Sequence, residues 1–339
     1  MSIFLISSLA AGVPIVVYIL FLRWLDRYER EPFKHIFITF LAGAVFSSGL
    51  SYVANTFVSV VSRAFLTTAG HDYIVPSLVA PLVEEFNKGM MVVLFAYISK
   101  EFDNITDGLL YGAVVGLGFA FAENIHYFMS VYNESGLFAW IHNMYFRSLF
   151  CAGLHAAATA TFGACMAYGR HARFSERIVS LVVGYFLAVM IHSFWNSLLT
   201  ASTLSHDTVL GYLPVIVLPM IFLMIFVFFQ ISLARESEVI EQELTIASRN
   251  GIIPENHVPY LKSYLARSKP GWLDSRIPKE EYIAVCTEFA FLKNRFWNAT
   301  PVYRKKLDQR VIQCQENIQK LLAMAPTDTT LPASGGEGL

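Results

Sequence analysis

The feature that most constrains this chain is a series of apolar runs, each about as long as a bilayer is thick. They recur between residues 1 and 234, whereas residues 235–339 read like an ordinary soluble chain. A helix rising 1.5 Å per residue needs about 20 apolar residues to cross ~30 Å of hydrocarbon. In that medium only helices and closed barrels satisfy their own backbone groups. The runs predict seven spans, at about 2–22, 36–61, 73–99, 105–130, 145–169, 178–203 and 211–233. The expected fold is all-α, a polytopic transmembrane helix bundle with a helical cytoplasmic C-terminal region. Charged residues make up only 15% of the chain, against about 25% in soluble domains, and the deficit falls in the first 234 residues. The N-terminal run has no preceding positive charge and is too long for a cleavable signal, so it is expected to be the first span.

Basic residues in the connections orient the bundle. Arg23, Arg27, Arg30, Lys34, Lys100, Arg170, Arg173 and Arg177 fall on one side. The other side has Arg63, with Arg147 at a helix edge. The positive-inside rule puts the N-terminus outside and the C-terminus in the cytoplasm.

The organisation expected is a transmembrane domain at 1–234, a cytoplasmic helical region at 235–325 and a disordered tail at 326–339. The middle segment carries apolar residues at helical spacing, and "ARESEVIEQELTIASRNG" stops at Asn250-Gly251, a helix-ending pair. The tail is rich in Pro, Gly, Ser and Thr. Cys151, Cys165, Cys286 and Cys314 form no CxxC pair that would announce a disulfide framework or zinc ribbon. Net charge is −1 and no basic stripe exists, so nucleic acid is not an expected partner.

Against this apolar background, "PLVEEFNKGM" places Glu84, Glu85 and Lys88 in the third span. An ionisable group at the bilayer centre costs at least about 2.5–3.5 kcal/mol. Further polar groups are Glu123, Asn124 and His126 in the fourth span, His155 in the fifth, and His192 and Asn196 in the sixth. Counting helix rise from the outer end of each span puts Glu84, Glu123, His155 and His192 roughly 10–18 Å deep. Four helices running in alternate directions thus contribute to one layer, as a single buried site requires.

Spacing supports the same reading. Glu84 and Glu85 precede Lys88 by four and three residues, so the lysine reaches either carboxylate. Glu123 and His126 have the Glu-x-x-His spacing of carboxylate-bridged metal bundles. His192 and Asn196 share one helix face. Each residue also has a structural reading: a register-fixing ion pair for Glu84, Glu85 and Lys88, interhelical hydrogen bonds for the histidines and asparagines, an interfacial position for His126. Gly112, Gly116 and Gly118 read as close helix packing rather than a nucleotide loop.

Carboxylates and histidines in a secluded pocket suit water activation. In one route Glu85, Glu123, His155 and His192 hold Zn²⁺, which lowers the pKa of a bound water. In the other no metal is present, and Glu84 or Glu85 is the general base while a histidine and Asn196 stabilise the oxyanion. A different class, a proton- or ion-coupled transporter, uses similar intramembrane Glu and His residues, but no inverted repeat supports it.

The segments "WLDRYEREP", "APLVEEFNKG", "DGLLYGAVVGLGFAFAEN" and "HSFWNS" together resemble the PrsW family of intramembrane proteases, which is related to the CAAX prenyl endopeptidase and bacterial immunity group. The resemblance spans roughly residues 20–200. It implies a Glu-Glu-x-x-Lys motif at Glu84, Glu85 and Lys88, a Phe-x-x-x-Glu motif at Phe119 and Glu123, and histidine positions at His155 and His192, with Asn196 following. It also implies a site-1-type protease acting on anti-sigma-factor-like membrane proteins on the extracytoplasmic side. The expected catalytic set is Glu84, Glu85, Lys88, Glu123, His155, His192 and Asn196, with Zn²⁺ or no cofactor. The expected partners are a membrane-protein substrate and the lipid bilayer, with a homo-oligomer compatible. The expected location is the bacterial cytoplasmic membrane.

Overall fold

The computed structural model describes residues 2–99, 102, 104–170, 172–298 and 301–325. Lys100 and the tail expected at 326–339 lie outside them. The described residues contain no strand. The chain divides into two compact units, Met1–Asp26 with Arg30–Ser232, and Arg27–Glu29 with Leu233–Leu339.

The first unit is built from α1 (Ile3–Leu25), α2 (Phe33–Ser62), α3 (Thr68–Ile74), α4 (Ala80–Ile98), α5 (Ile105–Phe146), α6 (Ala152–Gly169), α7 (Phe174–Ser205) and the first part of α8 (Thr208–Arg249). Among the described residues five stretches are long and apolar enough to cross a membrane: α1, α2, the continuous run Ile105–Gly169, α7 and α8. Two expected spans share the run Ile105–Gly169, and α4, with Glu84, Glu85 and Lys88, is not among the five.

Within α5 the chain doubles back at Gly136, whose φ of 76° and ψ of −170° are open only to glycine. Phe128 and Trp140 would stand ~18 Å apart on a straight helix. Instead their ring centroids are 6.2 Å apart. This turn returns the chain past Glu123.

Among the described residues, π-helical segments interrupt the helices at Ala42–Ser47 within α2, Val75–Val79 before α4 and Arg147–Cys151 before α6. Such widened turns occur often at functional sites. In the second, Pro76 has no amide with which to continue an i→i−4 ladder. The first part of α5 and α6 pack backbone to backbone. A Cβ at Gly112 or Gly116 would strike the carbonyl oxygen of Thr159 or His155, respectively. This agrees with the close-packing reading of the glycines and brings α5 and α6 near enough for Glu123 and His155 to meet.

The acidic residues of "WLDRYEREP" tie the α1–α2 link down. Asp26 accepts the Glu31 amide (3.0 Å), Arg23 donates to the Glu31 carbonyl (3.1 Å), and the Tyr111 hydroxyl donates to the Glu31 carboxylate. Burial pushes the Asp26 carboxyl up to about 7.

The second unit packs the end of α8 with α9 (Lys279–Asn298) and α10 (Pro301–Leu322) around Leu244, Leu261, Trp272, Tyr282, Phe289 and Ile318. As expected, α8 stops at Asn250-Gly251. Gly251 has φ 73°, and the Ile252 amide closes onto the Ala247 carbonyl at 3.0 Å, a Schellman ending.

Candidate active site

On α4, Glu84, Glu85 and Lys88 turn away from the exposed face and are buried. The Glu85 carboxylate is fully engaged. Its Oε1 accepts from Lys88 Nζ at 2.6 Å and from His192 Nδ1 at 2.8 Å, and its Oε2 accepts from the Thr159 hydroxyl at 3.2 Å. Lys88 Nζ also lies 2.9 Å from His155 Nδ1 and 4.2 Å over the Phe119 ring. The latter is a cation–π contact.

Those partners constrain the imidazoles. His192 Nδ1 faces a carboxylate and must donate; in the neutral ring Nε2 is then the lone pair. His155 Nδ1 faces an ammonium and must accept, so Nε2 donates to Glu123 Oε2 at 2.9 Å. Glu123 is in turn bound by Arg147 Nη2 at 2.6 Å. Arg147 also donates to Asn124 Oδ1 (3.0 Å) and stacks 3.7 Å over the Tyr127 ring. Sequence placed Arg147 at a helix edge; its side chain is in fact only 12% exposed and belongs to this network. The requirement of Glu123 for a cation is the signal that would have found it.

Glu84 is held differently. Its Oε1 accepts from Asn55 Nδ2 at 3.1 Å, while its Oε2 is buried without a hydrogen-bond partner. That oxygen lies 3.8 Å from His192 Nε2. Glu85 is balanced by Lys88 and Glu123 by Arg147, so Glu84 is the carboxylate with no cation of its own in the cluster.

Donor atoms of Glu84, His155 and His192 lie within 4.8 Å of one another. Two ligands about 2.1 Å from a tetrahedral Zn²⁺ stand about 3.4 Å apart. The orphaned Glu84 oxygen and the His192 Nε2 that faces it fit two ligands of a divalent cation. His155 would join by releasing Lys88. This set differs from the expected Glu85, Glu123, His155 and His192, because Glu85 and Glu123 are occupied in holding the two histidines. Asn196 stands apart from the cluster and donates to the Pro76 carbonyl at 3.0 Å.

A groove of about 900 Å³ reaches Glu84, Phe119 and Glu123, with Ser48, Ser51, Asn55 and Ser59 of α2 along it. Those positions lie three or four residues apart, on one helix face. Asn55, Arg147 and Thr159 are the site neighbours that sequence reasoning missed. Single Asn, Ser and Thr residues are common helix glue in membranes and carry no distinguishing signal.

Residues 31–229 match the family described as PrsW family intramembrane metalloprotease. The chain is similar to a protein named Protease PrsW from Geobacillus kaustophilus, 29% identical over 198 residues, 58% of this chain and 80% of the relative. Proteins of the same name from Bacillus subtilis and Clostridioides difficile are 24% and 27% identical, covering 82% and 78% of their own lengths and 58% and 56% of this chain. No solved structure gives a significant match.

Proposed function

The chain belongs to the PrsW family of intramembrane metalloproteases, and we propose that it hydrolyses a peptide bond of a membrane protein at the Glu84–His155–His192 cluster. The observation that carries this assignment is the Glu84 carboxylate, buried, held by Asn55 through one oxygen and unpartnered at the other.

In the proposed site, Glu84, His155 and His192 would hold the metal. A metal there supplies Lewis acidity and an activated water near neutral pH. The chain's own groups do the rest. Asn55 fixes the Glu84 carboxylate so that Oε2 faces His192 as a ligand atom; in the metal-free route the same oxygen would instead accept a proton from the attacking water. Glu85 sets the His192 tautomer and orientation, the role outer carboxylates play around metal-binding histidines. Lys88 balances Glu85. Glu123, braced by Arg147, does for His155 what Glu85 does for His192. Asn196 positions the π-helical turn at Pro76 rather than the oxyanion. The α2 groove admits water and substrate.

The substrate is a membrane protein, and the resemblance to site-1 proteases points to an anti-sigma-factor-like regulator. We place the chain in the bacterial cytoplasmic membrane with its N-terminus outside. Its seven spans comprise α1, α2, α3–α4, the two limbs of α5 with α6 completing the second, α7 and α8. The protease domain is residues 1–234, followed by a cytoplasmic helical region.

The test is cleavage of a tagged single-span anti-sigma-factor-type membrane protein by the reconstituted full-length chain. Glu84→Gln is expected to abolish cleavage in a protein that stays folded and inserted. Undiminished cleavage by that variant removes Glu84 from the chemistry. Metal analysis of the purified protein, with cleavage assayed before and after chelation, separates the metal route from a glutamate route.

A further inference from the structure

A second pocket, of about 410 Å³, lies between one end of α2 and one end of α4, away from the Glu/His cluster. Its α2 wall is Lys34, His35, Ile38, Thr39 and Ala42, and its α4 wall is Met91, Leu94, Phe95, Ile98 and Ser99. The chemistry is sorted along its length. Lys34 and His35 stand at the start of α2 and Ser99 just past the end of α4, so the polar groups share one mouth. From there Ile38 and Ala42 follow at four-residue steps, opposite Ile98, Leu94 and Met91. The slot is therefore polar at one end and, apart from Thr39, whose hydroxyl donates back to the α2 backbone, apolar for the remaining ~12 Å of α2.

Two observations say what the polar mouth accepts. Lys34 is exposed and makes no ion pair among the described residues. His35 Nδ1 is buried without a hydrogen-bond partner, and its ring is held edge-on against Phe95, with centroids 5.8 Å apart. A cation and an unsatisfied imidazole nitrogen on consecutive residues suit a phosphate group. Inorganic phosphate would use only that mouth. Ile38, Leu94 and Ile98 are 44%, 51% and 71% exposed and continue the slot into hydrocarbon.

We propose that this slot binds one anionic phospholipid, its phosphate on Lys34 and His35 and an acyl chain along Ile38, Leu94 and Met91. The mouth lies at the end of the bundle that the charge count assigns to the cytoplasm, where anionic headgroups attract lysine.

The experiment is native mass spectrometry of the delipidated full-length protein, titrated with phosphatidylglycerol or phosphatidylcholine of identical chains. The wild type is expected to retain phosphatidylglycerol about fivefold better, the preference one lysine supplies at a membrane surface. Lys34→Ala should abolish that preference. Ile38→Trp should plug the slot and lower retention of phosphatidylglycerol. Leu94→Trp, on the opposite wall, repeats the test if the first variant misfolds. Millimolar inorganic phosphate should not displace the lipid. Equal retention of the two lipids, a preference unchanged in Lys34→Ala, unchanged retention in a folded Trp variant, or displacement by phosphate would each overturn the proposal.

Discussion

Glu84 Oε2 and His192 Nε2 face each other across 3.8 Å, too far for a hydrogen bond and close to the separation of two ligands on one cation. Among the described residues neither atom has a hydrogen-bond partner, although Glu85 and Asn55 hold the other end of each side chain. The gap between them is the centre of the proposed site.

Glu84 and Glu85 should therefore behave differently when neutralised. Glu84→Gln removes the proposed ligand, and is expected to lower cleavage by at least about 10²–10⁴-fold and to remove bound metal. Glu85→Gln leaves the ligands in place and loosens His192, with metal affinity falling about 10–100-fold. Metal content against free-metal concentration for the two purified variants decides. Equal losses would mean the adjacent carboxylates share one role.

Arg147 is expected to matter through Glu123. Arg147→Met leaves the half-buried Glu123 carboxylate without its cation and should destabilise the bundle by up to about 3 kcal/mol. Adding Glu123→Gln should restore most of that stability but not cleavage, since His155 then lacks its carboxylate. Thermal melting and cleavage of the single and double variants test this together. A double variant no more stable than Arg147→Met would show that the arginine acts elsewhere.

Gly116→Ala should separate packing from chemistry. The new methyl collides with the His155 carbonyl, so α6 must shift away from α5. A displacement near 1 Å can cost about 10²-fold in rate. The measurement is cleavage beside melting temperature. Full activity would mean that the α5–α6 separation does not govern the site.

In the second unit, pH should act through His257. Burial holds its imidazole down at about 4, against an ordinary value near 6.5. Between those values the unfolded chain binds more protons than the folded one, so stability falls as pH drops from about 6.5 toward 4. The unit keeps its full stability above pH 6.5. Hydrogen exchange around Tyr282, whose hydroxyl meets His257 Nδ1 at 2.9 Å, should be faster at pH 5 than at pH 7.5 after correction for intrinsic rates. In His257→Leu the difference should shrink; an undiminished difference would assign it to another group.

What could be read from the sequence was whatever depends on one helix at a time. Apolar run length dictated helices of membrane-crossing size, and Asn250-Gly251 marked where α8 stops. The cost of burying charge singled out Glu84, Glu85, Lys88, Glu123, His155 and His192; the structure joins the last five in one hydrogen-bonded network and sets Glu84 3.8 Å from His192. The reversal at Gly136 was foreseen only as a break between two spans.

The tertiary structure decided the pairings, because they depend on how helices rotate and approach one another. Rotation of α4 gave Glu85 to Lys88, Thr159 and His192, and left Glu84 to Asn55. The fold-back at Gly136 carried Arg147 alongside Glu123, 24 residues earlier. Asn196, one turn from His192 on α7, gives its amide to the Pro76 carbonyl of the π-helical turn. Residue types and their cost in hydrocarbon are properties of the chain. Which carboxylate keeps an unpartnered oxygen is set by neighbours contributed from other helices, and no local pattern encodes them.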